Sequence, residues 1–306
     1  MKLTVSILMA IAAPALAGTC ESLASLKLPA TTITLAAQVD DGAWPVRIAA
    51  PGAHPPFCRV AATLRPTEDS DIRIEVWMPA DGWNGNFEAV GNGGWSGSIA
   101  YAAMAAALKA GYATASTDTG HEGGSAQFAL GHREKLIDYA YRSEHEMTVK
   151  AKAIVAAFYG KAQTHAYWSG CSAGGKQGLK EAQMYPADFD GIVAGSPGAY
   201  WIGRATQAIW VAQAVHKTPE SDIPREKYRM IHDAALKACD RAGWRGRWRN
   251  RGSAEVSFRP GDDRLPDGRR TRLPDRGTSG GGPQDLLVVH KSAHGEAAVS
   301  RVVSRQ

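Results

Sequence analysis

The sequence predicts an α/β fold, a mostly parallel sheet flanked by helices. Three observations carry that expectation. Between residues 86 and 197, strand-like and helix-like segments alternate with short loops, the pattern of parallel strands joined by covering helices. The stretch "DIRIEVWMP" alternates, placing Ile72, Ile74, Val76 and Met78 on one face, as a half-buried strand requires. Two helix-like segments stop at Gly111 and Gly160, residues suited to the left-handed turn beyond a helix end.

The first element is not part of the fold. "MKLTVSILMAIAAPALAGTC" has a positive Lys2, an apolar run over residues 3–13 and the small-x-small site Ala15-Leu16-Ala17. These are the parts of a secretory signal peptide, expected over residues 1–17. The run is too short to span a bilayer. A lipidated cysteine does not fit, because Thr19 separates the Leu-Ala-Gly stretch from Cys20. The expected location is therefore periplasmic or extracellular, where Cys20, Cys58, Cys171 and Cys239 can form disulfides. Spacing alone leaves every pairing open. No C-x-x-C or His-rich cluster points to zinc.

Residues 31–116 read as strands and turns. "DGWNG" is a turn, and "NFEAV" a strand entering the glycine-rich "GNGGWSGS". "AYAAMAAALKAG" is rich in good helix formers. "YATAS" is a short strand and "TDTGHEGG" the loop after it. "SEHEMTVKAKAIVAAFYG" is a helix with Ser143 as expected N-cap. "HAYWSG" is a strand, "CSAGG" a turn, "KQGLKEAQMYP" a helix stopped near Pro186, and "FDGIVAGSP" a further strand. Functional groups are expected in loops beyond the C-terminal ends of these strands.

From residue 240 the text changes character. It is dense in Arg, Gly, Pro and Ser and lacks sustained periodicity, the composition of a disordered basic tail. Residues 241–306 hold 14 Lys plus Arg against 7 Asp plus Glu, while the first 240 residues hold 21 against 23. The net charge of +5 is thus a property of the tail, and the main body carries no basic face for nucleic acid. Neither a nucleic acid nor a membrane is an expected partner.

Gly170-Cys171-Ser172-Ala173-Gly174 fits G-x-S-x-G, with an apolar strand before it and a helix after it. Small neighbours are needed there because the serine occupies a tight strand-to-helix turn. Ser172 is the candidate nucleophile. The Ala173 N–H, opening the helix, is placed to bind a developing oxyanion. A second donor is expected from Gly93 or Gly94, whose backbone can approach a substrate closely.

Four blocks, "WNGNFEAVGNGGWSG", "ASTDTGHEGG", "YWSGCSAGGKQGLKEAQMYPADFDGIVAGSPGAYW" and "ALKACD", together resemble the tannase and feruloyl esterase family, which includes mono-hydroxyethyl terephthalate hydrolases. The similarity runs from about residue 20 to 240. It implies a secreted serine esterase with an α/β-hydrolase core and an inserted lid, acting on small esters of aromatic, phenolic acids. It implies Ser172 as nucleophile, with oxyanion donors near Gly93, Gly94 and Ala173. It also implies a Cys20–Cys58 bridge, and a partner for Cys171 beside the catalytic histidine.

The resemblance stops inside a motif. A serine nucleophile needs a base and a carboxylate, which in α/β-hydrolases follow it in chain order as Asp then His. No cysteine follows Asp240, and His290 and His294 lie in "VVHKSAHGE", which does not match the family. His121 and Asp118 precede the serine and are expected to shape a loop rather than serve as base and acid. Asp240 matches the first ligand of a family calcium loop, but "RAGWRGRW" supplies no further carboxylates, so no bound metal or other cofactor is expected. Cys171 and Cys239 are expected to lack their family partners. The expectation is an incomplete α/β-hydrolase domain over residues 18–239. Residues 240–306 are then an out-of-frame or disordered tail, and esterase activity is impaired. The alternative is a non-catalytic secreted protein that binds phenolic ligands or acidic polymers.

Overall fold

The structure, a computed structural model, describes residues 18–42, 44–46, 52–240, 286–291 and 297–302. These fall into two compact units, residues 18–198 with 286–301 and residues 199–240 with 302. The sheet belongs to the first. Its strands are β1 (Thr31–Val39), β2 (Phe57–Leu64), β3 (Ile72–Pro79), β4 (Asn86–Val90), β5 (Ala113–Thr117), β6 (His165–Cys171), β7 (Gly191–Gly195), β8 (Leu286–Lys291) and β9 (Ala297–Val302). They lie in the order β1-β2-β3-β5-β4-β6-β7-β8-β9. The central strands β5, β4, β6 and β7 run parallel. An antiparallel meander, β1 to β3, extends one side, and β8 pairs antiparallel with β7 on the other.

Strand β3 shows why the layers form. Ile72, Ile74, Val76 and Met78 are buried in one cluster with Met147, Ala151, Ile154 and Val155. Those four come from helix α3 (Ser143–Tyr159). Trp77 points to the opposite face, where it joins Phe57, Met104 and Leu108 in a second cluster. The last two belong to α1 (Tyr101–Lys109). The period of two thus feeds two cores, one under each helical layer. Gly111 and Gly160 follow α1 and α3 with positive φ, as expected of residues beyond a helix end.

Two expectations are corrected here. Ser143 is not an N-cap. The chain is already helical through α2 (Arg133–Ile137) and a π-helical turn (Asp138–Arg142), so no helix end exists at Ser143. Arg142 braces that turn by donating to Asp138 and Glu134, and the Ser143 hydroxyl donates to Glu144. The tail is not wholly unstructured either. "LLVVHK" and "AAVSRV" form β8 and β9, and β8 covers the edge of β7. Runs of valine and leucine favour that pairing, which satisfies the backbone groups of an otherwise open edge. His290 lies on β8 opposite Gly191 in register. His294 and the Arg-rich segment 241–285 lie outside the described residues, as do residues 1–17.

The second unit contains α5 (Trp201–Val215) and α6 (Arg225–Asp240). The side chains of residues 237–240, Cys239 and Asp240 included, lie outside the described residues. No described helix is long and apolar enough to cross a membrane.

Cys20 and Cys58 form a disulfide, the pairing the resemblance implied, and both are buried. It ties the segment before β1 to the second strand across 38 residues. Closing a loop of that length restricts the unfolded chain, and replacing both cysteines by serine should cost about 2–4 kcal/mol. Urea unfolding of the oxidised protein and the variant checks this; equal midpoints would contradict it.

Candidate active site

Strands β4, β5, β6 and β7 are parallel, so the loops that follow them share one edge of the sheet. Backbone strain collects there. Among the described residues, four non-glycine positions have positive φ, and Thr119, Ser172 and Ser196 lie just beyond β5, β6 and β7.

Ser172 has φ 61° and ψ −114° and sits between β6 and α4 (Ala173–Met184). An L-residue reaches that region only when its surroundings force it. Three backbone bonds do so. Its N–H donates to the Gly195 carbonyl at 2.9 Å, and its carbonyl accepts from Lys176 at 3.0 Å and Gly198 at 3.3 Å. The side chain is left outside this bonding, and among the described residues the hydroxyl makes no hydrogen bond.

Glycines let the helix start this close to the sheet. A Cβ on Gly170 would stand 2.5 Å from the Gly174 carbonyl, and one on Gly175 would stand 2.4 Å from the Gly195 carbonyl. Trp168 of β6 donates from Nε1 to the Gly174 carbonyl at 3.0 Å, which anchors the first helical turn. The Ala173 N–H opens α4 and has no acceptor within the helix.

The loop after β4 is pressed against the same turn. A Cβ on Gly91 would lie 2.6 Å from the Gly174 Cα, and the Asn92 carbonyl borders Gly174. Asn92 and Gln177 bond reciprocally: the Asn92 N–H donates to Gln177 Oε1 at 3.3 Å, and Gln177 Nε2 donates to Asn92 Oδ1 at 2.9 Å. Gly93 and Gly94 then project into open space, Gly94 with φ 60°, in a turn closed by the Ser96 N–H on the Gly93 carbonyl. Among the described residues neither the Gly93 nor the Gly94 N–H finds an acceptor. Three backbone donors without acceptors thus lie on the two segments that meet at Gly174: Ala173 opens α4, and Gly93 and Gly94 follow Gly91 and Asn92, which border that helix start. Such donors suit a developing negative charge.

His121 and Asp118 serve other ends. His121 is buried, with Nε2 on the Trp95 carbonyl at 2.7 Å, Nδ1 at 3.2 Å from Thr119 Oγ1, and its ring stacked on Phe128. Both ring nitrogens are occupied. Asp118 Oδ1 accepts from the Arg73 and Gly120 N–H groups, which bends the loop back onto β3. Burial pushes its carboxyl up to about 7, against those bonds and the nearby Arg73. Both residues line a cleft of about 440 Å³ together with Arg73, Glu122 and Phe128, a cleft that Ser172 does not line. Cys171 ends β6 as an exposed free thiol. No group of three or more metal-binding side chains occurs among the described residues.

Asn92, Gln177 and Trp168 escape sequence reasoning because amides and indoles are common and their pairing spans the fold. The glycine spacing around Ser172 was the signal available.

A family model of tannase and feruloyl esterase matches residues 58–245. An uncharacterized esterase of Xanthomonas campestris pv. campestris is 40% identical over 228 residues, 72% of this chain and 39% of the relative. A probable feruloyl esterase B-1 of Aspergillus fumigatus is 35% identical over 188 residues, 60% of this chain and 35% of the relative. The crystal structure of feruloyl esterase B from Aspergillus oryzae superposes with a TM-score of 0.66 at 29% identity, covering 74% of this chain and 46% of that one. The chain therefore spans less than half the length of these relatives.

Two outcomes follow from the geometry. Gly170→Ala should destabilise the protein by about 1–3 kcal/mol, since the methyl meets backbone that cannot retreat; chemical denaturation measures it. Asp118 binds its proton more tightly folded, at about 7 against an ordinary 3.8. Its contribution to stability is therefore present at low pH and lost as pH rises from about 4 to 7. Asp118→Asn keeps the acceptor oxygen, so stability should fall less across that window than in the parent, read from urea midpoints at several pH values.

Proposed function

The chain belongs to the tannase and feruloyl esterase family, and from that premise we propose that it is a carboxylic ester hydrolase whose nucleophile is Ser172. The strained backbone of Ser172 carries the reading. A φ of 61° at a serine between a parallel strand and a helix has a cost that packing alone does not require. The serine is exposed at the sheet edge, next in the chain to the Ala173 N–H, and the N–H of Gly93 or Gly94 is the proposed second donor. Attack of the hydroxyl oxygen on an ester carbonyl forms the acyl–oxygen bond, releases the hydroxyl proton to water and moves a carbonyl electron pair onto oxygen; the alcohol then leaves with a proton from water, and a second water cleaves the acyl-serine to the acid. Those N–H groups would hold that charge until the alcohol leaves.

The substrate class is proposed from the relatives, whose names include feruloyl esterase: small esters of phenolic acids. The disulfide and the signal-like N-terminus support an exported enzyme. Proton transfer limits the rate in this reading. Among the described residues no imidazole bonds to Ser172, and His121 is committed to the loop. The proposed activity is accordingly low, sustained by charge stabilisation more than by a base.

Hydrolysis of p-nitrophenyl butyrate by the parent chain and by Ser172→Ala tests the assignment. The parent is expected to exceed the variant, which should fall to the uncatalysed rate. Equal rates would remove Ser172 from the chemistry.

A further inference from the structure

Gly93 and Gly94 pose a mechanical problem. Nothing lies within 4 Å of where their side chains would be, and a glycine pair has more conformational freedom than any other. Donors on such a turn stabilise an anion only if something else holds them still.

We infer that Tyr139, braced by Lys176, is the strut that positions this turn, so that two residues outside the nucleophile motif set the aim of the anion-binding donors. The inference rests on the reading of Gly93 or Gly94 as a donor. The Tyr139 hydroxyl donates to the Gly94 carbonyl at 2.7 Å. Its ring stacks on Trp95, the next residue of the loop, with centroids 4.9 Å apart. The Lys176 ammonium lies 4.7 Å from the centre of the same ring. Lys176 comes from the first turn of α4, whose backbone N–H already binds the Ser172 carbonyl. One residue thus touches the strained serine through its backbone and the strut through its side chain. The two halves of the proposed anion cradle are joined through Lys176.

Two further features fit a built device. Tyr139 sits in the π-helical turn between α2 and α3, a wider coil that re-aims side chains and recurs at functional sites. Glu144, buried at the start of α3, is the charge nearest in effect to Lys176: burial lowers the Lys176 ammonium, and the Glu144 carboxylate works against that. Burial and Glu144 push the Tyr139 phenol up to about 12, so it remains a donor at any working pH. His121, whose ring meets that of Tyr139 edge-on with centroids 5.7 Å apart, holds the next carbonyl, that of Trp95, so the turn is held at two consecutive carbonyls.

Hydrogen exchange on the full chain tests the strut directly. In Tyr139→Phe the ring stays and the hydroxyl goes, so the Ser96 and Gly97 amides, which donate to the Gly93 and Gly123 carbonyls, should exchange roughly fivefold faster, the effect of one lost hydrogen bond. Amides of β4, β6 and α4 should keep the parent rate. Lys176→Met should loosen the same residues, and Lys176→Arg, which keeps a cation over the ring, should restore them. Unchanged exchange at the Ser96 and Gly97 amides in both Tyr139→Phe and Lys176→Met overturns the inference. A uniform rise across the sheet in both does so too, because that marks general packing. Kinetics with p-nitrophenyl butyrate add the functional side: Tyr139→Phe should lower kcat with KM unchanged, and a raised KM at constant kcat would count against it. If the parent and Ser172→Ala hydrolyse equally, the esterase reading falls, and the exchange data alone decide whether the strut exists.

Discussion

The structure around the sheet edge depends on holding one serine in a backbone conformation it would not adopt by itself. Residues in such regions cost on the order of 1–3 kcal/mol. At Ser172 that cost is offset by three backbone hydrogen bonds, which reach β7, the loop after it and the first turn of α4. Each bond comes from a different segment, so no single shift of a loop relieves the strain. The serine is held by the assembled fold.

This constraint explains the glycines better than any local turn preference. Gly91, Gly170, Gly175 and Gly178 belong to three separate segments, yet each would clash with Gly174, Gly195 or Trp168 if it carried a side chain, and one on Gly174 would press on Gly91 and Asn92. Together they let α4 lie directly on β6 and β7 and let the loop after β4 touch the helix start. Moving the helix outward by one methyl would break the Trp168–Gly174 and Asn92–Gln177 bonds together. Close approach and backbone strain are therefore one feature seen twice.

Much of this was legible in the residues. The alternation in β3, the helix-ending glycines and the strand-turn-helix around Ser172 are local patterns, and local patterns survive in a linear text. What was not legible was relational. Ser143 reads as a cap because serine before an amphipathic run usually is one. The preceding residues instead form a helix held by the Arg142–Asp138 and Arg142–Glu134 pairs, which span about one and two turns. Strands β8 and β9 were obscured by the arginine-rich composition around them, although "LLVVHK" alone has strand character. The reciprocal Asn92–Gln177 pair bridges 85 positions of sequence and has no signature in either neighbourhood.

The division between what the described residues supply and what they do not follows from chain locality. An elbow and the anion donors can be built from consecutive strand ends, because parallel strands bring their loops to one edge whatever follows in the chain. A general base is different: it must arrive with its own orienting partner and with a free ring nitrogen aimed at the hydroxyl. His121, the imidazole carried by a loop at this edge, has both nitrogens spent, one of them on the Trp95 carbonyl. Releasing it to act as a base would free the loop that carries Gly93 and Gly94. The same imidazole cannot steady the anion donors and take the serine's proton. The arrangement therefore commits His121 to holding the loop, and in the proposed reaction the Ser172 proton goes to a group outside this cluster.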